Sequence, residues 1–210
     1  FYENEYNKES KNILLKTVSE GHIYGHKIKE KFKYYAYARG ELKILKINKK
    51  EFGNVIIAHL VKYLPVQYPE KIFQAMKYTL MLPGKRLRPV MCLETARILG
   101  CDIMKAMPVA CAIEMLHVQS LIHDDLPCMD NDDFRRGEPS NHKVFGEANA
   151  VLAGDALLTY APQIIIENTK DVYMERLIQV LHEYTKFAGA YGLIAGQVVD
   201  IESEGGKLVK

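Results

Sequence analysis

Five aspartates stand within ten consecutive positions of the segment SLIHDDLPCMDNDDFRRG, which spans residues 120–137. The charged side chains of this segment are Asp124, Asp125, Asp130, Asp132, Asp133, Arg135 and Arg136. Carboxylates at this density repel one another, and an ordinary surface turn does not need five of them. The pattern therefore indicates that a cation binds here.

The stretch KAMPVACAIEMLHVQSLIHDD leads into the aspartates, and its small and apolar residues predict a long buried helix that Pro127 ends or kinks. His117 and Asp124 are seven residues apart, about two turns, so they share a face of that helix. Asp124 and Asp125 come at its C-terminal end, the negative end of the helix dipole. Because helix C-termini favour Lys or Arg, carboxylates there again indicate a bound cation.

Oxygen ligands suit Mg²⁺, Mn²⁺ or Ca²⁺. An EF-hand calcium loop starting at Asp130 would need Gly and Glu where the chain has Arg135 and Asn141, so that interpretation fails. Mg²⁺ typically uses one or two carboxylates and completes its shell with water and phosphate oxygens. The predicted ligands are Asp124 and Asp130, brought together by a bend at Pro127, with Mn²⁺ as the alternative metal.

Phosphate would explain the neighbouring cations. Arg135 and Arg136 can donate paired hydrogen bonds to diphosphate oxygens. A second basic cluster, Lys85, Arg86 and Arg88, follows a glycine at the start of a helix, which is an arrangement suited to anions. One acidic and two basic clusters together indicate two phosphorylated substrates, one held through metal and one held directly. For GKRLR alone, a solvated charged turn remains an alternative.

Four motifs, GKRLRP, HVQSLIHDDLPCMDNDDFRRGEPSNHKVFGE, LAGDALL and GQVVDIESEG, resemble those of the trans-isoprenyl diphosphate synthases. The resemblance is closest to the geranylgeranyl and farnesyl diphosphate synthases of bacteria, cyanobacteria and plastids, and it covers roughly Val61 to Gly206. The four residues between Asp125 and Asp130 match the longer motif spacing of these branches. The resemblance implies Mg²⁺-assisted ionisation of an allylic diphosphate, which is then condensed with isopentenyl diphosphate.

The resemblance also assigns roles to individual residues. Catalysis is implied for Asp124, Asp125, Asp130 and Arg135, with Mg²⁺ on Asp124 and Asp130 and the allylic diphosphate on Arg135. Isopentenyl diphosphate is implied to lie on Lys85, Arg88, His117 and Arg136. Gln197 and Asp200, three residues apart on one helix face, are implied to lie near the metal. Asp132 and Asp133 are given no role.

The chain length of the product is expected to depend on Gln119 and Ser120, about one turn before Asp124. Farnesyl synthases of this family carry an aromatic ring near this point. Neither residue here is aromatic, so a geranylgeranyl (C20) product is expected rather than a farnesyl (C15) product.

Helical periodicity dominates the remainder of the chain, whereas strand signals are weak, so the predicted fold is all-α. The first helix is expected to begin at Glu51 and to stop at Pro65, and the second to have Pro69 in its first turn. A third is expected to end at Gly100, and at least one helix follows residue 171. The resemblance makes this an incomplete isoprenoid-synthase-type bundle.

Charge separates the chain into two parts. Residues 1–50 hold 12 Lys and Arg against 6 acidic residues and are interpreted as a basic, poorly structured extension. Residues 51–210 hold 16 against 20 and are interpreted as the N-terminal and central part of the helical domain. The mildly acidic body argues against a general nucleic-acid partner.

Four cysteines without a CxxC spacing favour reduced thiols in an intracellular protein over a zinc site or disulfides. No apolar run approaches the roughly 18 residues of a membrane span, and no signal peptide is recognised. A cytoplasmic or plastid location is expected. A transit peptide within residues 1–50 remains an alternative, although its six glutamates oppose it.

The family carries a second aspartate-rich motif, which this chain lacks before Lys210. Two interpretations follow: the N-terminal part of a full enzyme, or a short non-catalytic or regulatory subunit of a heteromeric synthase. The complete first motif favours the former. A helical interaction module with an acidic patch is the hypothesis from another class. Family members form homodimers or heterodimers, so either assembly is expected.

Overall fold

A computed structural model describes residues 24–28, 31–35 and 49–204. Contacts divide the chain into two units, residues 1–48 and residues 49–210. The first contains an antiparallel hairpin of β1 (Tyr24–Ile28) and β2 (Lys31–Tyr35). The prediction that residues 1–50 form a poorly structured extension, with or without a transit peptide, stays a prediction because most of that segment lies outside the described residues.

The second unit is a bundle of helices, which confirms the all-α prediction. Between residues 49 and 204 its helices are α1 (Lys49–Tyr63), α2 (Glu70–Met81), α3 (Leu87–Ile98), α4 (Ile103–Asp124), α5 (Asn141–Phe145), α6 (Glu147–Asn168), α7 (Met174–Ala188) and α8 (Leu193–Glu204). A short ribbon of β3 (Phe134–Arg135) and β4 (Glu138–Pro139) interrupts them.

Helix α4 is the central element, because α1, α2, α3 and α6 all pack against it. Asp102 is its N-cap, because its side chain accepts a 2.9 Å hydrogen bond from the N–H of Met104. Its apolar side chains Met107, Met115 and Ile122 are fully buried. Each such side chain contributes about 1.5–3 kcal/mol to folding, so α4 is a rigid support for the aspartates at its end.

Helix α6 is long and apolar enough to cross a membrane if only length and composition are considered. Its Ala153, Leu157 and Ile164 are fully buried, and α6 packs along α4. Asp155 and Glu167 are exposed on the same helix. Exposed apolar side chains stand beside these charged ones, so one face of α6 is packed into the bundle and the other is not.

Several helix boundaries differ from the predicted ones. Helix α1 begins two residues before Glu51, and Pro69 is the N-cap of α2 with extended backbone, so it does not lie in the first helical turn. Helix α3 begins already at Leu87 and ends at Ile98. Gly100 follows it with a φ of +72°, the left-handed conformation that glycine adopts after a helix without steric cost.

The segment after residue 171 forms two helices, α7 and α8. They are separated at Gly189–Gly192, where a Cβ added at Gly192 would overlap the backbone of Phe187. Only a residue without a side chain allows this close approach of the two backbone segments. The prediction of at least one further helix is confirmed, and α8 returns the C-terminal side of the described chain toward the end of α4.

Candidate active site

The loop after α4 brings the two predicted metal ligands together. Asp124 is the last residue of α4, and the N–H of Asp130 donates a 2.8 Å hydrogen bond to its carbonyl oxygen. The N–H of Asn131 closes the same loop on the carbonyl oxygen of Leu126 at 3.1 Å. Asn131 has a φ of +54°, a conformation that Asn tolerates better than most residues. The loop thus turns back on the helix end within six residues.

Burial raises the pKa of Asp124, and the negative charge of Asp130 raises it further. Among the described residues, no ion pair joins either carboxylate to a lysine or arginine, and no group of three potential metal ligands is assembled. A pair of unneutralised carboxylates fits Mg²⁺, which draws most of its ligands from water and phosphate. The set does not fit zinc, which needs three or four protein ligands.

The other three aspartates are already neutralised. Asp125 is only 1% exposed and accepts a 2.8 Å hydrogen bond from Nε of Arg135, whose Nη2 also contacts it. The same guanidinium reaches Asp132 at 3.2 Å, and Lys143 pairs with Asp133 at 2.7 Å. Burial nevertheless raises the pKa of Asp125, against the opposing effect of Arg135. Asp125, Asp132 and Asp133 thus have partners that hold the loop, whereas the predicted role of Asp124 and Asp130 as metal ligands stays a prediction.

The β3–β4 ribbon directs its two arginines to different sides. Arg136 and Gly137 form its turn, with φ values of +56° and +89°, as a two-residue hairpin turn requires. Arg135, on β3, reaches Asp125. Arg136 instead donates a 3.3 Å hydrogen bond to the carbonyl oxygen of Leu82. Its Nη1 lies 2.5 Å from the place where Gly84 would carry a Cβ, so Gly84 provides the space for this guanidinium.

Arg86 differs from its neighbours in the basic cluster. It is the N-cap of α3 with a φ of +48°, and it is only 3% exposed. Its Nη1 donates to Glu114 on α4 at 2.5 Å, and its Nη2 donates to the carbonyl oxygens of Leu80 and Leu82 at 2.7 and 2.8 Å. Arg86 therefore joins α2, α3 and α4 and is a structural member of the cluster, whereas Lys85 and Arg88 are exposed.

His117 on α4 lies close enough to the arginines of the basic cluster for their charges to act on its ring. Burial lowers its pKa to about 4, and the positive charges of Arg88 and Arg136 act in the same direction. Burial also lowers the pKa of Arg136, with a further contribution from Arg86. Three of the four residues predicted to bind isopentenyl diphosphate thus share one strongly positive region. Bringing cations together in this way is unfavourable unless an anion binds between them.

A cleft of about 310 Å³ opens beside the aspartates, between α4, α6, α8 and the loop after α4. Its lining residues are Gln119, Ser120, His123, Asp124, Leu126, Cys128, Met129, Val151, Leu193, Ile194 and Gln197. Both predicted chain-length residues and Gln197 therefore line the space that begins at Asp124. Asp200 is exposed on α8 and is not part of this lining, so its predicted role near the metal stays a prediction.

Two sets of side-chain contacts at the site were not predicted from the sequence. The first is the Arg86–Glu114 ion pair, which the presence of an acidic residue inside an otherwise apolar helix could have indicated. The second is His123, whose ring accepts from the amide of Gln119 at 3.1 Å and lies 3.1 Å from the carbonyl oxygen of Val151. No sequence signal distinguishes His123, because its contacts with Val151 and Gly154 come from α6, 28 or more residues away.

Comparison with known proteins gives a consistent result. The polyprenyl synthetase family model matches residues 69–209. Over 140 residues the chain is 56% identical to a chloroplastic geranylgeranyl pyrophosphate synthase of Catharanthus roseus. The matched segment covers 67% of this chain and 39% of that protein. Over 161 residues it is 52% identical to the chloroplastic heterodimeric geranylgeranyl pyrophosphate synthase large subunit 1 of Arabidopsis thaliana, covering 76% and 43%.

Among solved structures, the bundle resembles an FPP/GFPP synthase from Zymomonas mobilis in its apo form, with a TM-score of 0.71 and 37% identity. The match covers 74% of this chain and 57% of that one. The chain therefore has the helical arrangement of this structure over its matched part. It spans about two fifths of the length of the two plant relatives, at 39% and 43%.

Proposed function

The chain belongs to the polyprenyl synthetase family and has the all-α isoprenoid-synthase fold, and we propose that the residues at the end of α4 and around the cleft form a prenyltransferase site. In this proposal the site condenses isopentenyl diphosphate with an allylic diphosphate to give geranylgeranyl or farnesyl diphosphate. The observation that carries it is the cleft that starts at Asp124, because it places an apolar space directly beside a metal-seeking carboxylate pair.

The allylic substrate spans that junction. Its hydrocarbon chain lies against Leu126, Met129 and Val151 in the cleft, and its diphosphate lies at Asp124 and Asp130. When bound, Mg²⁺ would neutralise negative charge on the diphosphate oxygens. The carboxylate pair would hold this metal, and the apolar walls would exclude water from the carbon that loses its oxygen.

The second substrate lies on the positive region. Lys85, Arg88 and Arg136 bind the diphosphate of isopentenyl diphosphate, and His117 adds a hydrogen bond from its ring. Arg136 lies against Gly84 and donates to the carbonyl oxygen of Leu82, which Arg86 also contacts, so this donor is positioned before substrate arrives. Such preorganisation reduces the entropy that substrate binding costs.

The reaction balances without any further reactant. The C–O bond of the allylic diphosphate breaks, and diphosphate leaves with the electron pair. The double bond of isopentenyl diphosphate then forms a C–C bond to the allylic cation, and the resulting cation gives a proton to the released diphosphate, which acts as the base. Arg135 is assigned to the allylic diphosphate, and its pairing with Asp125 keeps its guanidinium beside the metal ligands.

We favour a C20 product. Gln119 and Ser120 line the cleft, and neither places an aromatic ring across it. The relative from Catharanthus roseus is named for a geranylgeranyl product, which supports the same choice.

A non-catalytic or regulatory subunit of a heteromeric synthase is the second candidate. The similarity to a protein named as the large subunit of a heterodimeric synthase supports a heteromeric assembly. A homodimer or heterodimer is proposed in either case. The plastid names of the plant relatives support a plastid location, with the cytoplasm as the alternative.

The test is an assay of the 210-residue chain with radiolabelled isopentenyl diphosphate, geranyl diphosphate and MgCl₂, with Asp124→Asn as the inactive control. Products of 15 to 20 carbons from the chain alone support the catalytic proposal. Substrate binding without product, together with a changed product length when a full-length relative is added, supports the subunit proposal. If the chain neither binds substrate nor forms product, the helical interaction module is the hypothesis that remains.

A further inference from the structure

A histidine and a glycine meet at the wall of the cleft. His123 precedes Asp124 on α4, and Gly154 lies opposite on α6. A Cβ added at Gly154 would overlap the imidazole of His123, and the three atoms nearest to it would all belong to this ring. The missing side chain at residue 154 is therefore what allows the ring to occupy its position.

Two hydrogen bonds fix the orientation of the ring. Nε2 of His123 lies 3.1 Å from the carbonyl oxygen of Val151, and since a carbonyl can only accept, this nitrogen carries the hydrogen and donates. Nδ1 then accepts from the side-chain amide of Gln119 at 3.1 Å. A connected path thus runs from the backbone of α6 through the imidazole to Gln119.

The three residues of this path, Val151, His123 and Gln119, all line the cleft. Gln119 is only 9% exposed, so its amide has little freedom once His123 holds it. We propose that His123 is a positioning residue for product specificity: the space left by Gly154 seats its ring against α6, and the ring fixes Gln119 and with it the length of hydrocarbon that the cleft accepts. This inference rests on the proposed prenyltransferase function.

The direction of the effect follows from where space is available. Helix α6 closes one side of the ring and α4 carries it, so the free volume beside it is the cleft. A methyl group at residue 154 drives the ring, together with Gln119, into that volume. The cleft then becomes shorter, and long allylic chains lose more affinity than short ones.

The experiment is calorimetric titration of the 210-residue chain with geranyl diphosphate (C10) and geranylgeranyl diphosphate (C20) in MgCl₂. The variants are Gly154→Ala, His123→Ala and the double variant. Gly53→Ala is the matched control, because no atom lies within 4 Å of the position of its added Cβ in α1. The quantity compared is the ratio of the C20 and C10 dissociation constants.

The Gly154→Ala variant should bind C20 about tenfold more weakly relative to C10, the size of effect that small changes in an apolar pocket produce. Removing the ring in the double variant should return the ratio to the value of His123→Ala alone. Gly53→Ala should leave the ratio unchanged. Rescue by the double variant separates a ring displacement from a general disturbance of helix packing.

The alternative outcomes have distinct meanings. An unchanged ratio in Gly154→Ala, or a loss that persists in the double variant, would overturn the inference while wild-type binding still supports the proposed function. Failure of the wild-type chain to bind either diphosphate would refute the proposed function and the inference with it. Imidazole ¹⁵N NMR spectra test the position of the ring without a substitution at residue 123. The wild-type spectrum should show the hydrogen on Nε2 of His123. Gly154→Ala should shift the signals of both ring nitrogens.

Discussion

The backbone N–H of Asp130 donates a 2.8 Å hydrogen bond to the carbonyl oxygen of Asp124, and this bond folds the loop after α4 back onto the helix end. Two carboxylates six positions apart in sequence are thereby held at one corner. Their mutual repulsion is an unfavourable feature of the folded chain that a divalent cation removes. The backbone thus brings together the two residues whose carboxylates we propose as metal ligands.

Replacing Asp130 by Asn should lower the pKa of Asp124, because one of the three causes that raise it is removed, while burial and the charge of Asp125 remain. A folded pKa above the unfolded value means that the free energy of unfolding falls as the pH rises through that range, so the variant should show a weaker fall. Carboxyl ¹³C titration measures the pKa. Asp133→Asn is the matched control, since Asp133 pairs with Lys143. An unchanged Asp124 pKa in Asp130→Asn would contradict the coupling.

Arg86→Met should destabilise the protein by about 3–5 kcal/mol, because it leaves the buried carboxylate of Glu114 without its partner. The double variant Arg86→Met/Glu114→Leu should recover most of that loss, since an apolar pair of similar volume replaces the ion pair. Urea unfolding of both single variants and the double variant gives the coupling energy. Additive losses would show that the two side chains act independently.

Burial is the main cause of the low pKa of His117, about 4, and the charges of Arg88 and Arg136 lower it further. A bound diphosphate offsets those charges and should therefore raise this pKa. The chain should therefore take up protons on binding at pH 5–6, as measured by calorimetry of pyrophosphate binding in buffers of different ionisation enthalpy. His117→Asn should remove the part of this uptake that belongs to the ring. Equal proton uptake by the two proteins would place the diphosphate elsewhere.

The same histidine predicts acid sensitivity. Its folded pKa lies below the unfolded value of 6.5, so the unfolded chain binds the proton first as the pH falls. The free energy of unfolding should decrease between about pH 6.5 and pH 4 and the decrease should be smaller in His117→Asn. Denaturant unfolding at several pH values measures it. Parallel pH profiles for the two proteins would contradict the assignment.

Gln119→Tyr should shorten the product, because an aromatic ring then stands in the cleft beside Asp124. Gln119→Leu is the control, as it also removes the hydrogen bond to His123 but adds no ring. Mass spectrometry of the products compares the three proteins. A product of wild-type length from Gln119→Tyr would sink the chain-length assignment.

The helical fold and the approach of Asp124 to Asp130 could be predicted from the sequence, because both depend on local sequence patterns. Apolar periodicity predicts α4, and the placing of Asp124 and Asp130 about Pro127 predicts their approach. The short β3–β4 ribbon was missed, since two-residue strands leave no periodicity to detect. Its turn depends on the left-handed conformation of Arg136, a residue type that gives no such signal.

The sequence does not show which residue of the basic cluster has a structural role. Lys85, Arg86 and Arg88 are equivalent as letters, but only Arg86 is buried, because Glu114 from α4 lies opposite. Likewise Gly84 suggested an anion site at a helix start, whereas its observed role is to make room for Arg136. Such roles depend on which distant elements meet, and pattern within one segment does not contain that information.

The most direct test of the central claim is the melting temperature of the 210-residue chain with MgCl₂ and a non-ionisable geranyl thiolodiphosphate. At a ligand concentration about a hundred times the dissociation constant, the account predicts a rise of roughly 5–10 °C that requires both components. The rise should disappear in Asp124→Asn/Asp130→Asn. No rise in the wild type, or an equal rise without Mg²⁺ or in that double variant, would contradict the claim that these two carboxylates hold a metal-bound diphosphate.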